Sequence, residues 1–126
     1  MNNTRLVHRA LMSESIIGAA LKVLNVLKPG LSGEAYENAM VIELRNRGHK
    51  VSPQERFDDR FEGPLIDPLI PDLIMDDLLI ADPKVAEDFH PSHIAQMIGY
   101  PAVTDLKPAI LLNFRCATLT WKRVIR

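Results

Sequence analysis

Apolar residues in the first part of the chain recur at helical spacing and predict a first helix. Between residues 16 and 27 many pairs of apolar residues stand three or four positions apart, which gives the broad apolar face of an amphipathic α-helix. Ser13 precedes this run as a candidate N-cap, and Pro29-Gly30 follows it as a helix stop. Residues 1–12 show no clean period and are predicted to be a loose N-terminal lead-in.

A second helix is predicted to follow at once. Ser32 can cap its first turn, and Tyr36, Met40 and Leu44 continue at helical spacing. Gly48 stands where helices commonly end in a residue of left-handed conformation. The first half of the chain is therefore predicted to be an αα-hairpin.

The middle of the chain changes to the pattern of β-strands. Val51 and residues 56–61 indicate extended chain. Residues 72–75 and 78–81 are two short, mainly apolar runs on either side of Asp76-Asp77. Two such runs around a two-residue polar turn predict a β-hairpin that is buried on both faces.

The last third predicts one more helix and one more strand. His90-Pro91-Ser92 opens the helix, and Pro101 is expected to kink or end it. Residues 109–112 are an unbroken apolar run, which predicts a buried strand, and residues 116–126 are expected to form a mixed tail around Trp121. The order ααβββαβ is typical of an α/β (α+β) domain with a mostly covered sheet.

Composition narrows the class of protein. The chain has 126 residues, 47% of them hydrophobic and 25% charged, which is the balance of an ordinary soluble globular protein with a single domain over residues 1–126. Its one cysteine, Cys116, excludes an internal disulfide and so a secreted disulfide-rich scaffold. No run approaches the roughly 18–20 apolar residues of a membrane span, and residues 1–9 do not resemble a signal peptide. The expected location is the cytoplasm.

The charges are unevenly distributed although the net charge is only −1. Residues 54–88 hold eleven acidic residues against three basic ones, whereas the segments before and after carry net charges of +3 and +4. An acidic middle between basic flanks suits a metal site beside a phosphate-binding surface. A solvated hairpin with acidic turns accounts for the same pattern, so charge alone leaves both interpretations open.

Two acidic residues and a lysine at the ends of the predicted hairpin carry a resemblance to a known family. Pro71-Asp72, nine intervening residues and Asp82-x-Lys84 resemble the PD-(D/E)XK nuclease motif. More narrowly, the chain is similar over residues 13–114 to the GxxExxY family, small bacterial proteins assigned to that nuclease-like superfamily, in five ordered blocks: residues 16–20, 30–39, 42–51, 93–100 and 111–114. The resemblance implies a restriction-endonuclease-like core, with a central mixed β-sheet flanked by helices.

The chemistry of these residues agrees with that resemblance. Asp72 and Asp82 can place two carboxylates on one Mg²⁺ or Mn²⁺ ion, because hard divalent cations prefer carboxylate oxygens and water. Lys84 follows Asp82 by two residues and so points to the same face of the strand, where its ammonium can stabilise charge on a scissile phosphate. Gln96 on the following helix is the candidate for orienting the attacking water.

Two positions depart from the family pattern. In the naming motif a glutamate stands three residues before the tyrosine, and here Gly33 fills that place before Tyr36. Glu34 is the candidate third metal ligand, but it is rotated by about 100° on the helix, and a favourable interaction with the helix dipole accounts for it equally well. Pro83 lacks a backbone N–H between the acid and the lysine, and it is expected to disturb their alignment.

The leading functional hypothesis is a metal-dependent nuclease that hydrolyses DNA or RNA, slowed by these departures. The alternative is an inactive nuclease-like domain that binds nucleic acid or a protein. Neither hypothesis involves a membrane. In a purely structural account, Asp72 and Asp82 are hairpin-end carboxylates and Lys84 is their surface partner. The position of a third carboxylate relative to Asp72 and Asp82 is the feature that distinguishes an active nuclease from an inactive nuclease-like domain.

Overall fold

The computed structural model describes the backbone of residues 3–104 and 108–125. This part of the chain contains three helices, α1 (Asn3–Leu27), α2 (Gly33–Asn46) and α3 (Pro91–Thr104). Its seven strands are β1 (Val51–Pro53), β2 (Phe57–Arg60), β3 (Leu65–Leu69), β4 (Leu73–Met75), β5 (Leu79–Lys84), β6 (Pro108–Asn113) and β7 (Thr120–Ile125).

The strands form a mixed central sheet in the order β1-β4-β5-β6-β7. Strands β5 and β6 are parallel and the other neighbours are antiparallel, while β2 and β3 form a separate two-stranded sheet. Apolar residues of α1 and α2 pack on one face of the central sheet, and residues of α3 and of the β2–β3 pair pack on the other. This mixed α/β architecture with flanking helices confirms the predicted class and is consistent with a restriction-endonuclease-like fold.

The start of α1 corrects a prediction. Residues 3–12 are helical, so the predicted loose lead-in is wrong, and Ser13 is a buried residue within α1 and not its N-cap. The segment is rich in Arg, Leu and Ala, which favour helix by intrinsic propensity even where the apolar residues show no clean period.

The C-terminal tail and the third helix also differ from the prediction. The predicted tail contains β7, an edge strand in which charged and apolar residues are interleaved, so that no apolar run marks it in the sequence. Helix α3 continues through Pro101 to Thr104, so of the two predicted effects of Pro101, a kink or an end, the end is wrong.

Both ends of α2 agree with the predicted caps. The Ser32 side chain accepts a hydrogen bond from the Ala35 N–H at 3.3 Å. At the other end Gly48 has a φ of 89°, the Gly48 N–H donates to the Arg45 carbonyl, and the His49 N–H donates to the Leu44 carbonyl. This pair of bonds is a Schellman motif, which ends the helix and turns the chain toward β1.

Tyr36 fixes the connection between α1 and α2. Its ring is fully buried and stacks on Phe114 with 4.8 Å between the ring centroids. Its hydroxyl donates to the Lys28 carbonyl at 2.6 Å and accepts from the Leu31 N–H at 3.1 Å. The phenol therefore pairs two backbone groups in the α1–α2 connection.

We expect Tyr36→Phe to lower the free energy of unfolding by about 1–3 kcal/mol, because it leaves the Lys28 carbonyl and the Leu31 N–H without their partner. Urea unfolding followed by circular dichroism measures the change. Phe61→Leu, at an aromatic residue that is 65% exposed, serves as the control and should shift stability by less than about 0.5 kcal/mol. Equal midpoints for Tyr36→Phe and the native chain would contradict this role.

The predicted hairpin is formed by β4 and β5. Asp76 and Asp77 have positive φ angles of 54° and 56°, as both central residues of a type I′ turn require. The register runs from Met75 opposite Leu79 to Leu73 opposite Ala81. The predicted two-residue turn would pair Met75 with Leu78, so Leu78 is one additional loop residue, and this shift decides which residues face each other at the far end of the hairpin.

Candidate active site

Asp72 and Asp82 meet at the far end of that hairpin. Leu73 pairs with Ala81, so the next position of the same register places Asp72 against Asp82. In antiparallel strands, residues that stand directly opposite each other typically have their Cβ atoms about 4.5–5.5 Å apart. Asp82 is completely buried, whereas Asp72 is partly exposed.

Asp82 is electrostatically unusual. Burial, and after it the neighbouring Asp72 carboxylate, raises the pKa of Asp82 to about 8, against an ordinary value of 3.8. Neither of its carboxylate oxygens has a hydrogen-bond partner among the described residues. A buried carboxylate is costly in its charged form, and the raised pKa of Asp82 expresses that cost in the absence of a bound cation.

Lys84 supplies positive charge at this position. Its ammonium nitrogen lies 3.4 Å from Oδ2 of Asp82, and its side chain is 27% exposed, so it joins the buried acid to the surface. The Lys84 carbonyl accepts from the Phe114 N–H at 2.9 Å, which anchors the end of β5 to β6. The Asn113 side chain bonds both backbone groups of Ala86 and so holds the segment that leaves the site.

Pro83 is accommodated between the two charged residues. It lies opposite Leu112 of β6, but the Lys84 bond to Phe114 shows that the backbone of Lys84 points toward β6. The backbone of Pro83 therefore points the other way by strand alternation, to the side where the ladder with β4 has already ended at Leu73. The missing N–H therefore removes no ladder bond, and the expected effect of Pro83 on the alignment of Asp82 and Lys84 stays a prediction.

Glu37 is the acidic residue that the sequence reasoning missed. It is partly buried on α2, and its Oε1 accepts from the Gln54 amide at 2.6 Å. The same Gln54 nitrogen donates to Oδ1 of Asp72 at 3.3 Å. Burial and the negative charge of Asp72 raise the pKa of Glu37. The hydrogen bond from Gln54 and the positive charge of Lys84 lower it. Glu37 therefore belongs to the same charge cluster as Asp72 and Lys84.

Glu34, the acid chosen from sequence, is exposed in the first turn of α2. Its negative charge helps to raise the pKa of Glu37, which is a member of the charge cluster. Glu37 follows Gly33 by four residues, so the two positions share one face of the helix, one turn apart. Glu37 therefore stands one turn after the position of the motif glutamate, and the i, i+4 spacing was the signal that could have found it.

Helix α3 brings His93 toward Lys84. Burial lowers the pKa of His93, and the positive charge of Lys84 lowers it further. The His90 N–H donates to Nδ1 of His93 at 3.2 Å, so the imidazole carries its proton on Nε2 when neutral. Gln96 is exposed on α3 one turn after His93, and its proposed role in orienting water stays a prediction.

The acidic side chains of this cluster are candidate ligands for a divalent cation. No group of three or more His, Cys, Asp or Glu side chains close enough to hold a metal ion is found among the described residues. The orphaned oxygens of Asp82 beside Asp72 nevertheless fit Mg²⁺, which is commonly held by one or two carboxylates and keeps several waters. The residues present therefore fit a two-carboxylate site with Glu37 nearby.

A second polar cluster lies at the turn end of the hairpin. Oγ of Ser15 is 2.7 Å from Nε2 of His49, and Nδ1 of His49 is 2.7 Å from Oδ2 of Asp76. The order is that of a hydrolase triad, but Ser15 lies inside α1, where backbone N–H groups are engaged in the helix and cannot stabilise an oxyanion. The cluster instead ties α1 to the hairpin turn.

Comparison with known proteins places the chain in a family. Curated protein sequences give no match. Among solved structures, the crystal structure of an alkaline exonuclease from Laribacter hongkongensis aligns with a TM-score of 0.49 and 15% identity, covering 90% of this chain and 82% of that one. No helix in the described part of the chain is long and apolar enough to cross a membrane. The family described as the PD-(D/E)XK nuclease superfamily matches residues 10–124. The chain, with its Asp72, Asp82 and Lys84 at one end of a mixed sheet, belongs to the PD-(D/E)XK nuclease superfamily.

Proposed function

We propose that the protein is a metal-dependent nuclease that hydrolyses phosphodiester bonds of DNA or RNA. The observation that carries the proposal is Asp82, a fully buried carboxylate whose oxygens lack hydrogen-bond partners in the described chain, beside Asp72 and 3.4 Å from the Lys84 ammonium. Membership of the nuclease superfamily supports the same reaction class. Within that superfamily we place the chain in the GxxExxY family of bacterial proteins, and we expect it in the cytoplasm.

Asp72 and Asp82 are the proposed ligands of Mg²⁺ or Mn²⁺. Glu37 replaces Glu34 as the nearest additional carboxylate, because the Gln54 amide joins it to Asp72. A divalent cation held there would supply Lewis-acid polarisation of the phosphate. Asp82 would then be ionised at neutral pH, since a nearby cation favours the charged form of a carboxylate.

Lys84 has the proposed task of stabilising the negative charge that develops on the phosphate. It lies on the same sheet face as Asp82, and its partial exposure lets the ammonium reach a phosphate outside the protein. Gln96 and the Nε2–H of His93 are the proposed donors on α3 that orient the attacking water or contact the nucleic-acid backbone.

Metal titration combined with cleavage tests the proposal. We expect Mn²⁺ to bind in calorimetry and to support cleavage of plasmid DNA or single-stranded RNA, with no cleavage in excess chelator. Slow turnover agrees with a two-carboxylate site, because imperfect alignment costs rate steeply. A native chain that binds neither metal nor nucleic acid would overturn the proposal.

An inactive nuclease-like domain that binds nucleic acid or a protein is the second candidate. It is favoured by the absence, among the described residues, of a three-ligand group close enough for a metal ion and by Gly33 in the glutamate position. Fluorescence anisotropy with labelled DNA and RNA distinguishes it: metal-independent binding without cleavage in Mg²⁺ or Mn²⁺ would favour this second function.

A further inference from the structure

We propose that Gln54 is a positioning residue that fixes Asp72, one of the two proposed ligands of the divalent cation, against Glu37. The inference rests on the proposed metal-dependent function and assigns a role to a residue outside the nuclease motif. Gln54 follows β1 directly, whereas Glu37 lies on α2 and Asp72 directly before β4. Its side chain thus joins elements that are far apart in sequence.

Three hydrogen bonds define this arrangement. The amide nitrogen of Gln54 donates to Oε1 of Glu37 at 2.6 Å and to Oδ1 of Asp72 at 3.3 Å. The backbone N–H of Gln54 donates to the Asp72 carbonyl at 3.0 Å. An amide group has two N–H donors, so it can serve one carboxylate with each. Side chain and backbone together fix Asp72 relative to α2.

The backbone of Gln54 is held in an uncommon conformation. Its φ is 53°, in the left-handed region that residues other than Gly, Asn and Asp rarely occupy. Such a conformation costs on the order of 1 kcal/mol and persists when surrounding contacts determine it. Here those contacts are the bonds to Glu37 and Asp72.

The neutral amide suits this position better than a cationic side chain. Glu37 and Asp72 repel each other, since the Asp72 charge raises the pKa of Glu37. Gln54 offsets the repulsion by donating to both groups, yet it adds no positive charge that would compete with a cation. The amide therefore holds the two carboxylates close together without placing a positive charge between them.

Gln54→Met tests the inference in the full-length chain. Methionine has similar length and no amide, so we expect the Mn²⁺ dissociation constant measured by calorimetry to rise by about tenfold to a hundredfold. Asn38→Met removes an exposed amide from the residue after Glu37 and is the matched control, with unchanged affinity. Urea midpoints of both variants establish that they fold.

Gln54→Asn separates positioning from folding. Asparagine accepts left-handed backbone more readily than glutamine, so this variant should fold at least as well as the native chain. Its amide is one methylene shorter and cannot bridge Glu37 and Asp72 in the same way, so Mn²⁺ affinity should still fall by about tenfold.

A double-mutant cycle excludes a merely structural role. If Gln54 acts through Glu37, then Gln54→Met should weaken Mn²⁺ binding much less in a Glu37→Gln background than in the native chain. If the double variant loses Mn²⁺ affinity by the product of the factors seen in the two single variants, the inference is overturned. Native-like Mn²⁺ affinity in Gln54→Met would also overturn it while leaving the proposed nuclease intact, whereas a native chain that binds no Mn²⁺ would overturn both.

Discussion

Asp82→Asn is expected to abolish Mn²⁺ binding and cleavage and, at the same time, to make the metal-free protein more stable at pH 8. Asp82 is fully buried, and its oxygens have no hydrogen-bond partner among the described residues, so ionising it in the folded protein costs stability. Asparagine has nearly the same shape and no charge, and its amide can donate to the Asp72 carboxylate.

The pH dependence of this effect has a definite sign. The pKa of Asp82 is raised from 3.8 to about 8 in the folded protein. The unfolded chain therefore loses its proton first, and the contribution of Asp82 to stability falls as the pH rises from about 4 to about 8. Each pKa unit corresponds to about 1.4 kcal/mol, so the penalty at pH 8 amounts to several kcal/mol.

Urea midpoints between pH 4 and pH 9 in the presence of chelator measure the effect. The native chain and Asp82→Asn should have similar stabilities near pH 4 and diverge up to pH 8. Asp77→Asn is the control, because Asp77 forms an exposed ion pair with Lys50 at the opposite end of the hairpin and should change stability by about 1 kcal/mol or less. A native chain more stable than Asp82→Asn at pH 8 without metal would contradict the argument.

Lys84→Met is expected to lower the cleavage rate by about a hundredfold or more while Mn²⁺ binding persists. The ammonium lies 3.4 Å from Asp82 and is the positive side chain that joins the buried acid to the surface. It is not a metal ligand, so its loss removes charge stabilisation of the phosphate and leaves the carboxylates in place. Single-turnover cleavage of labelled DNA and RNA, with calorimetry in parallel, separates the two effects.

Lys50→Met is the matched control for this experiment. Lys50 is also a lysine beside an aspartate, but it pairs with Asp77 at the turn end of the hairpin and is 65% exposed. Its loss should leave cleavage unchanged. Native-rate cleavage in Lys84→Met would show that the activity arises at another site or from a contaminant, and an equal loss in both variants would indicate a nonspecific effect of charge.

The features that could be predicted are those determined by short stretches of chain. Ser32 and Gly48 bound α2 because caps depend on a few adjacent residues. The Asp76-Asp77 turn gives the hairpin because both residues tolerate positive φ. Asp82 and Lys84 lie on one face of β5 because strand side chains alternate. Each follows from spacing along the sequence alone.

Tertiary structure decided the rest. Pro83 is tolerated because strand β4 ends before it reaches the position opposite Pro83. The length of β4 is a property of a different strand. Glu37 and not Glu34 is joined to Asp72 because the position of α2 against the β1–β4 pair brings Gln54 between Glu37 and Asp72. Long-range packing determines which residues of an amphipathic helix reach a site, and that packing leaves no signal in local periodicity. The sequence by itself thus determined the ends of α2, the β4–β5 hairpin and the acidic pair of that hairpin, whereas the contact that joins Glu37 to Asp72 through Gln54 was decided only by the assembled fold.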